Sequence, residues 1–293
     1  MNTYKILADT SCDMPASVFA EKNVTYVPFN VSFDQQNYLE ELKDITPEEF
    51  YDKINAEKLF PKTSLPSVQA YMDAMEPALK EGKDVLCLCL SSKFSGSFQS
   101  AVNAGNILAD DYPDRIIRVI DTTCATGCEG LMVLEACRMR DAGMEIDSVV
   151  EKLDKMKESA CLYVTVDSLE HLQKGGRIGK ASAMAGAILN IKPIIAMRDG
   201  ELQPESKVRG SKKALKTIMD LSKDKMGDEK DQYRIILVRG EKERHENAVE
   251  MAKELLAEGY DVQEDVWTVG ITIGSHIGPT PIAICMLKKY EFV

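Results

Sequence analysis

The first half of the chain alternates short apolar runs with segments of helical periodicity, which restricts it to βαβ units on a mainly parallel sheet. Residues 4–8 form the first apolar run, and residues 84–90, reading DVLCLCL, are continuously apolar in the manner of a strand covered on both faces. Residues 116–120 read as another buried strand, and residues 24–33 as an extended segment. Between these runs, Thr46-Pro47-Glu48-Glu49 opens a helix: Thr46 caps it, Pro47 suits the first turn, and Glu49 completes a capping box. A second helix runs from about Ser67, its cap, to Gly82, its stop, with Pro77 as a point of kinking. A third begins near Ser95, and a fourth covers residues 127–142.

From about residue 160 the pattern changes. Residues 161–166 are strand-like, Gly175-Gly176-Arg177 is a loop, and residues 193–197 with Glu201 onward form a hairpin turned at Asp199-Gly200. Amphipathic helices at 212–225 and 243–258 flank a strand at 233–238. A chain of 293 residues holds two domains at roughly 150 residues each. We therefore expect an N-terminal α/β domain, residues 1–160, and a C-terminal α+β domain with a mixed or antiparallel sheet, residues 161–293. A cleft between them is the default ligand site.

Charge and cysteine usage narrow the function. Lys and Arg number 36 against 47 for Asp and Glu, and the net charge of −11 argues against general nucleic-acid binding. The opening residues, from Met1-Asn2-Thr3 into Ile6-Leu7-Ala8, lack the basic and then apolar regions of a signal peptide, so a cytoplasmic location is expected. No apolar stretch approaches the ~18 residues of a spanning helix, and any membrane contact is peripheral. The eight cysteines show no C-x-x-C spacing and read as reduced thiols packed as small hydrophobes, without a metal.

Three polar clusters stand at the ends of apolar elements. Thr63-Ser64-Leu65-Pro66-Ser67 precedes the second helix, and Ser95-Gly96-Ser97 opens the third. A helix N-terminus presents unpaired N–H groups, and Gly96 permits close approach, so this cluster suits an anion; the same serines also serve simply as caps. The third cluster is Ser275-His276-Ile277-Gly278-Pro279 in a late loop, where the flanking glycines and proline constrain His276 either for binding or proton transfer or for a structural bond to a carbonyl. His171 reads as part of a surface turn. Residues 171–216 carry ten basic groups, Arg177 and Arg209 among them, against three acids, which suits an acidic partner, an anionic surface or a solvated face.

Taken in order, these motifs resemble the DegV family, bacterial fatty-acid-binding proteins that serve as acyl carriers for a fatty acid kinase. The resemblance spans the whole chain. It is carried by Asp9-Thr10-Ser11-Cys12-Asp13-Met14-Pro15, by Thr63-Ser64-Leu65-Pro66-Ser67, by residues 90–101 around Ser95-Gly96-Ser97, and by Val119-Ile120-Asp121-Thr122. Gly175-Gly176-Arg177-Ile178, Lys192-Pro193-Ile194, Arg209 and His276-Ile277-Gly278-Pro279 follow. One departure is Thr280-Pro281 where the family often has glycine; two prolines around one threonine stiffen this loop.

The resemblance implies a two-domain DegV-like fold with a long-chain fatty acid in a tunnel between the domains. The carboxylate would be bound by Thr63, by the Ser95-Gly96-Ser97 cluster and by His276. Arg177 and Arg209 would lie outside the tunnel, meeting the ATP-binding subunit of the kinase or, transiently, an anionic membrane surface. Such a carrier needs no catalytic residue and no cofactor. Two other classes compete. A serine hydrolase would use Ser95 as nucleophile and His276 as base with Asp9 or Asp121 as orienter, although Phe94-Ser95-Gly96-Ser97 is not a G-x-S-x-G elbow. A nucleotide-binding domain would need a phosphate-binding glycine motif that the first strand lacks.

Overall fold

A computed structural model describes residues 4–184 and 190–293, so Met1, Asn2 and Thr3 lie outside the described residues. The chain runs β1 (Tyr4–Asp9), α1 (Ala16–Glu21), β2 (Val24–Val27), β3 (Asn30–Ser32), β4 (Leu39–Glu40), α2 (Pro47–Glu57), β5 (Lys62–Ser64) and α3 (Val68–Lys80). Next come β6 (Asp84–Cys89), α4 (Ser97–Asp111), β7 (Ile117–Asp121), α5 (Thr126–Asp141) and α6 (Ile146–Met156). The remainder is β8 (Cys161–Thr165), α7 (Glu170–Lys174), β9 (Ile191–Arg198), β10 (Glu201–Arg209), α8 (Ser211–Met226), β11 (Tyr233–Arg239), α9 (His245–Ala257), β12 (Trp267–Thr268), α10 (Ile271–Ile277) and β13 (Ile282–Lys288).

The first sheet is parallel, in the order β2-β1-β6-β7. Its interior strand β6 is buried at all six positions, as the DVLCLCL run requires. β7 was expected to be buried too, but as an edge strand it fully buries only Ile120. The extended segment 24–33 is in fact two strands in two sheets. Pro28 has no N–H to donate and ends β2. β3 then turns away to pair antiparallel with β4 and β5, and this small sheet carries Thr63 opposite Val31. The helix caps agree with the sequence: Thr46 and Glu49 form a reciprocal capping box, and the Ala70 N–H donates to Ser67 Oγ at 3.1 Å. α3 continues through Pro77 to Lys80.

The second sheet has the order β10-β9-β8-β13-β11-β12 and is antiparallel except for β11 with β12. Asp199 (φ 53°) and Gly200 (φ 78°) make the β9–β10 turn, both left-handed as a two-residue hairpin demands. Between the sheets runs α5, in contact with β1 and β6 on one side and with β11 and β13 on the other. Thirteen of its sixteen residues are buried, so it has no solvent face, which is the behaviour of a helix enclosed on all sides.

Two further expectations change. The late loop is the short helix α10, with His276 in its last turn, and His171 belongs to α7, packed on Phe60 with ring centroids 4.5 Å apart. All eight cysteines are buried and unpaired. Among the described residues, no cluster of His, Cys, Asp and Glu is arranged to hold a metal, and no helix is long and apolar enough to cross a membrane.

Candidate ligand-binding site

A cleft with an empty volume of about 930 Å³, its mouth included, opens between residues of the two large sheets. Leu90 and Phe29 line it from the first half of the chain, and Leu162, Val164, Met197 and Val238 from the second. Its polar lining residues are Thr63, Ser95, Thr126, Arg177, Thr272 and His276. Two of these are already committed: Thr126 donates its hydroxyl hydrogen to Asp13 Oδ2 at 2.5 Å, and Thr272 to Glu41 Oε2 at 2.6 Å. The polar lining groups not tied to a buried acid are therefore Thr63, Ser95, His276 and Arg177.

Three of these, Thr63, His276 and Arg177, are placed by local contacts. Thr63 Oγ1 lies 2.8 Å from His276 Nε2. His276 Nδ1 is buried and has no partner, and it rests against the Cα of Gly175, where any side chain would collide with it. The arrangement is reciprocal, since Gly278, which ends α10 at φ 86°, leaves room for the His171 ring of α7. Each glycine following one short helix is thus covered by a histidine from the other. Arg177 joins the group by donating from Nε to the Phe94 carbonyl at 3.2 Å and from a terminal nitrogen to the Gly175 carbonyl at 2.9 Å.

Electrostatics fix the state of the imidazole. Burial, with the Arg177 and Lys62 cations nearby, lowers the His276 pKa to about 4, so the ring is neutral at pH 7. A buried N–H without an acceptor costs more than an idle ring lone pair, which places the hydrogen on Nε2. Nε2 then donates to Thr63 Oγ1, and the Thr63 hydroxyl hydrogen is left unspent. Ser95 is half-buried; its Oγ accepts the Ser97 N–H at 3.1 Å and retains its own hydrogen for a ligand.

The rest of the expected anion cluster is turned elsewhere. Ser97 is fully buried and donates to Asp9 Oδ2 at 2.9 Å while sharing a 2.6 Å bond with Tyr71, so it ties the start of α4 to the end of β1. Gly96 is the exposed cap residue of α4 and is not part of the cleft wall. Arg177, expected outside a tunnel, lines the cleft, whereas Arg209 at the end of β10 is exposed and away from the lining. The basic segment is also less bare than its sequence count. Lys174, Lys180, Lys192, Arg198 and Lys216 pair with Glu170, Glu201, Asp167, Glu205 and Asp220.

No hydrolase triad is assembled among the described residues. His276 engages Thr63 and not Ser95, and its second nitrogen meets no carboxylate. Asp9 accepts from Ser11, Ser97, Tyr71 and the Leu90 N–H, and Asp121 accepts the N–H groups of Ser92 and Thr123.

Asp9 and Asp13, singled out in the sequence only as a possible orienter and as part of a motif, join Glu41 and Glu129, which no sequence pattern marked, in a set of buried acids. Burial raises the pKa of each, and Asp13 and Glu129 are pushed furthest, each also by neighbouring carboxylates. Ser11 bridges two of them, contacting Asp9 Oδ1 at 2.5 Å and Glu129 Oε2 at 2.8 Å. The alternation of Asp9, Ser11 and Asp13 after an apolar strand was the available signal.

A family model described as an uncharacterised protein of the DegV family matches residues 3–289. The chain belongs to the DegV family. A DegV domain-containing protein of Clostridium perfringens is 32% identical over 293 residues, covering 98% of each chain. The DegV fold of this chain is similar to that of a stearic-acid-binding protein from Eubacterium ventriosum, with a TM-score of 0.92, 35% identity and coverage of 99% of this chain and 100% of that one. It is also similar to a DegV family protein from Thermus thermophilus described by its fatty acid binding, with a TM-score of 0.86, 30% identity and coverage of 98% and 99%. The parallel sheet with flanking helices and the mixed second sheet are those of DegV structures.

Proposed function

We propose that this DegV chain binds a long-chain fatty acid in the cleft, between an N-terminal domain of residues 1–160 and a C-terminal domain of residues 161–293. The hydrocarbon lies among the apolar walls, and the carboxylate meets the Thr63 and Ser95 hydroxyls, with His276 orienting Thr63 and Arg177 at the mouth. The observation that carries this reading is the Thr63–His276 pair, which leaves one directed hydroxyl hydrogen in a cleft whose deeper hydroxyls are already spent. The similarity to structures described as fatty-acid binding supports it.

Burying about 15 methylenes at ~0.8 kcal/mol each gives roughly 12 kcal/mol of transfer free energy, enough for retention after the costs of association. Neutral donors fix the head group without burying a full opposing charge. The bound carboxylate is presented to the ATP-binding subunit of a fatty acid kinase, where its oxygen attacks the terminal phosphate and ADP leaves, giving the acyl phosphate. The chain itself supplies no catalytic group to that transfer. Arg209, with the exposed rim around Arg177, meets the kinase or an anionic membrane surface. Displacement of a fluorescent fatty acid by oleate from delipidated protein tests the binding step; a cleft that takes up neither contradicts it.

A further inference from the structure

We propose that Glu41 is the positioning residue of the head-group site: it seats α10, and through α10 it sets the His276 ring. This rests on the reading of the cleft as a fatty-acid site. α10 has seven residues, among them Gly274 and the β-branched Ile271, Thr272, Ile273 and Ile277, a composition of low helix propensity in a length too short to hold itself. It nevertheless presents Thr272, Ile273, His276 and Ile277 to the cleft.

What holds its first turn is a carboxylate 230 residues upstream. Glu41 accepts the Ile271 N–H on Oε1, the Thr272 N–H at 3.3 Å and the Thr272 hydroxyl at 2.6 Å. Thr10 supplies a further hydroxyl at 2.8 Å. Every partner is a donor, which an ionised carboxylate satisfies and an amide does not, and the positive end of the helix favours that charge. Glu41 is 1% exposed, so water cannot replace it. Gly270 completes the seat: a Cβ there would lie 2.5 Å from Glu41 Oε1 and 2.7 Å from Asp13 Oδ1, although its φ of −69° is one that alanine adopts freely. Thr10 also accepts the Phe29 N–H at 3.1 Å, and Phe29 lines the cleft, so the same carboxylate braces two walls.

Two substitutions separate positioning from general stability. Glu41→Gln keeps the shape and turns one acceptor into a donor, whereas Gly270→Ala leaves the charge and wedges α10 off its seat by one methyl. Both are expected to remain folded by circular dichroism and to bind oleate at least tenfold more weakly. Both should also move the His276 ¹⁵N resonances away from those of a single neutral tautomer, which loss of stability elsewhere would not do. A folded variant of either kind with the parent's oleate affinity and unchanged His276 resonances overturns the proposal. If the parent itself binds no oleate, the fatty-acid reading falls, while the His276 resonances of the variants still decide whether Glu41 positions the ring.

Discussion

The Thr63 hydroxyl and His276 Nε2 lie 2.8 Å apart across 213 residues of sequence, joining a short edge strand to the last turn of a short helix. Neither group is remarkable alone. Together they form a relay in which a neutral imidazole orients a hydroxyl toward the cleft.

Thr63→Val removes that hydroxyl at nearly constant volume. Losing a hydrogen bond to a charged head group costs roughly 1.5 to 3 kcal/mol, an affinity loss of about 10- to 150-fold. Isothermal titration with oleate should show it alongside a modest fall in melting temperature, since the buried His276 Nε2–H loses its acceptor, and Thr63→Ser should restore most of both.

Ser95→Ala and Ser97→Ala should part company despite standing two residues apart. Ser95 faces the cleft, so its loss lowers fatty-acid affinity and costs only the capping bond to the Ser97 N–H, about 1 kcal/mol or less of stability. Ser97 is sealed against Asp9 and Tyr71, and removing it leaves a buried carboxylate and a phenol underbonded. That costs on the order of 1 to 3 kcal/mol of stability, read by urea unfolding. Equal effects of both variants on affinity would contradict this division.

The sequence displayed the two-sheet plan because its signals are local: DVLCLCL is short, apolar and bounded like an enclosed strand, and Asp199-Gly200 has the residues a two-residue hairpin turn favours. It concealed α10, since a segment reading ITIGSHI has no helical pattern of its own and depends on Glu41 from a distant strand end. It likewise concealed which serine faces the cleft. Ser95 and Ser97 look alike as residues, and only the packing of α4 on Asp9 and Tyr71 turns one inward. Arg177 is exposed, but the resemblance put it outside the tunnel, whereas its bonds to the Phe94 and Gly175 carbonyls bring it to the cleft lining, a contact between distant loops that no local pattern displays.

His276 makes stability depend on pH. Its pKa of about 4 in the fold lies below the ordinary histidine value of about 6.5, so between these pH values the unfolded chain binds a proton that the folded one does not. The contribution is complete above pH ~6.5 and is lost as pH falls through 4, on the order of 3 kcal/mol in all. Urea unfolding of the parent and of His276→Gln across this range should give a shallower slope for the variant. Parallel profiles would place the imidazole pKa near its ordinary value.

The two arginines should separate binding from presentation. Arg177→Glu sets a negative charge at the mouth and is expected to weaken oleate binding at least tenfold. Arg209→Glu should leave binding intact, lower acyl phosphate formation with the cognate kinase and flatten its salt dependence, since contact between exposed charges is screened over about 8 Å at physiological ionic strength. Unchanged phosphorylation of the acid by the Arg209 variant would remove that residue from the kinase-facing surface.

The most direct test is the content of the cleft itself. Protein purified without detergent, extracted under denaturing conditions and analysed by lipid mass spectrometry should yield a long-chain fatty acid near one molecule per chain, sharply reduced in a Thr63→Val, Ser95→Ala double variant that stays folded. Parent protein that carries no fatty acid and takes up neither added oleate nor palmitate would contradict the account.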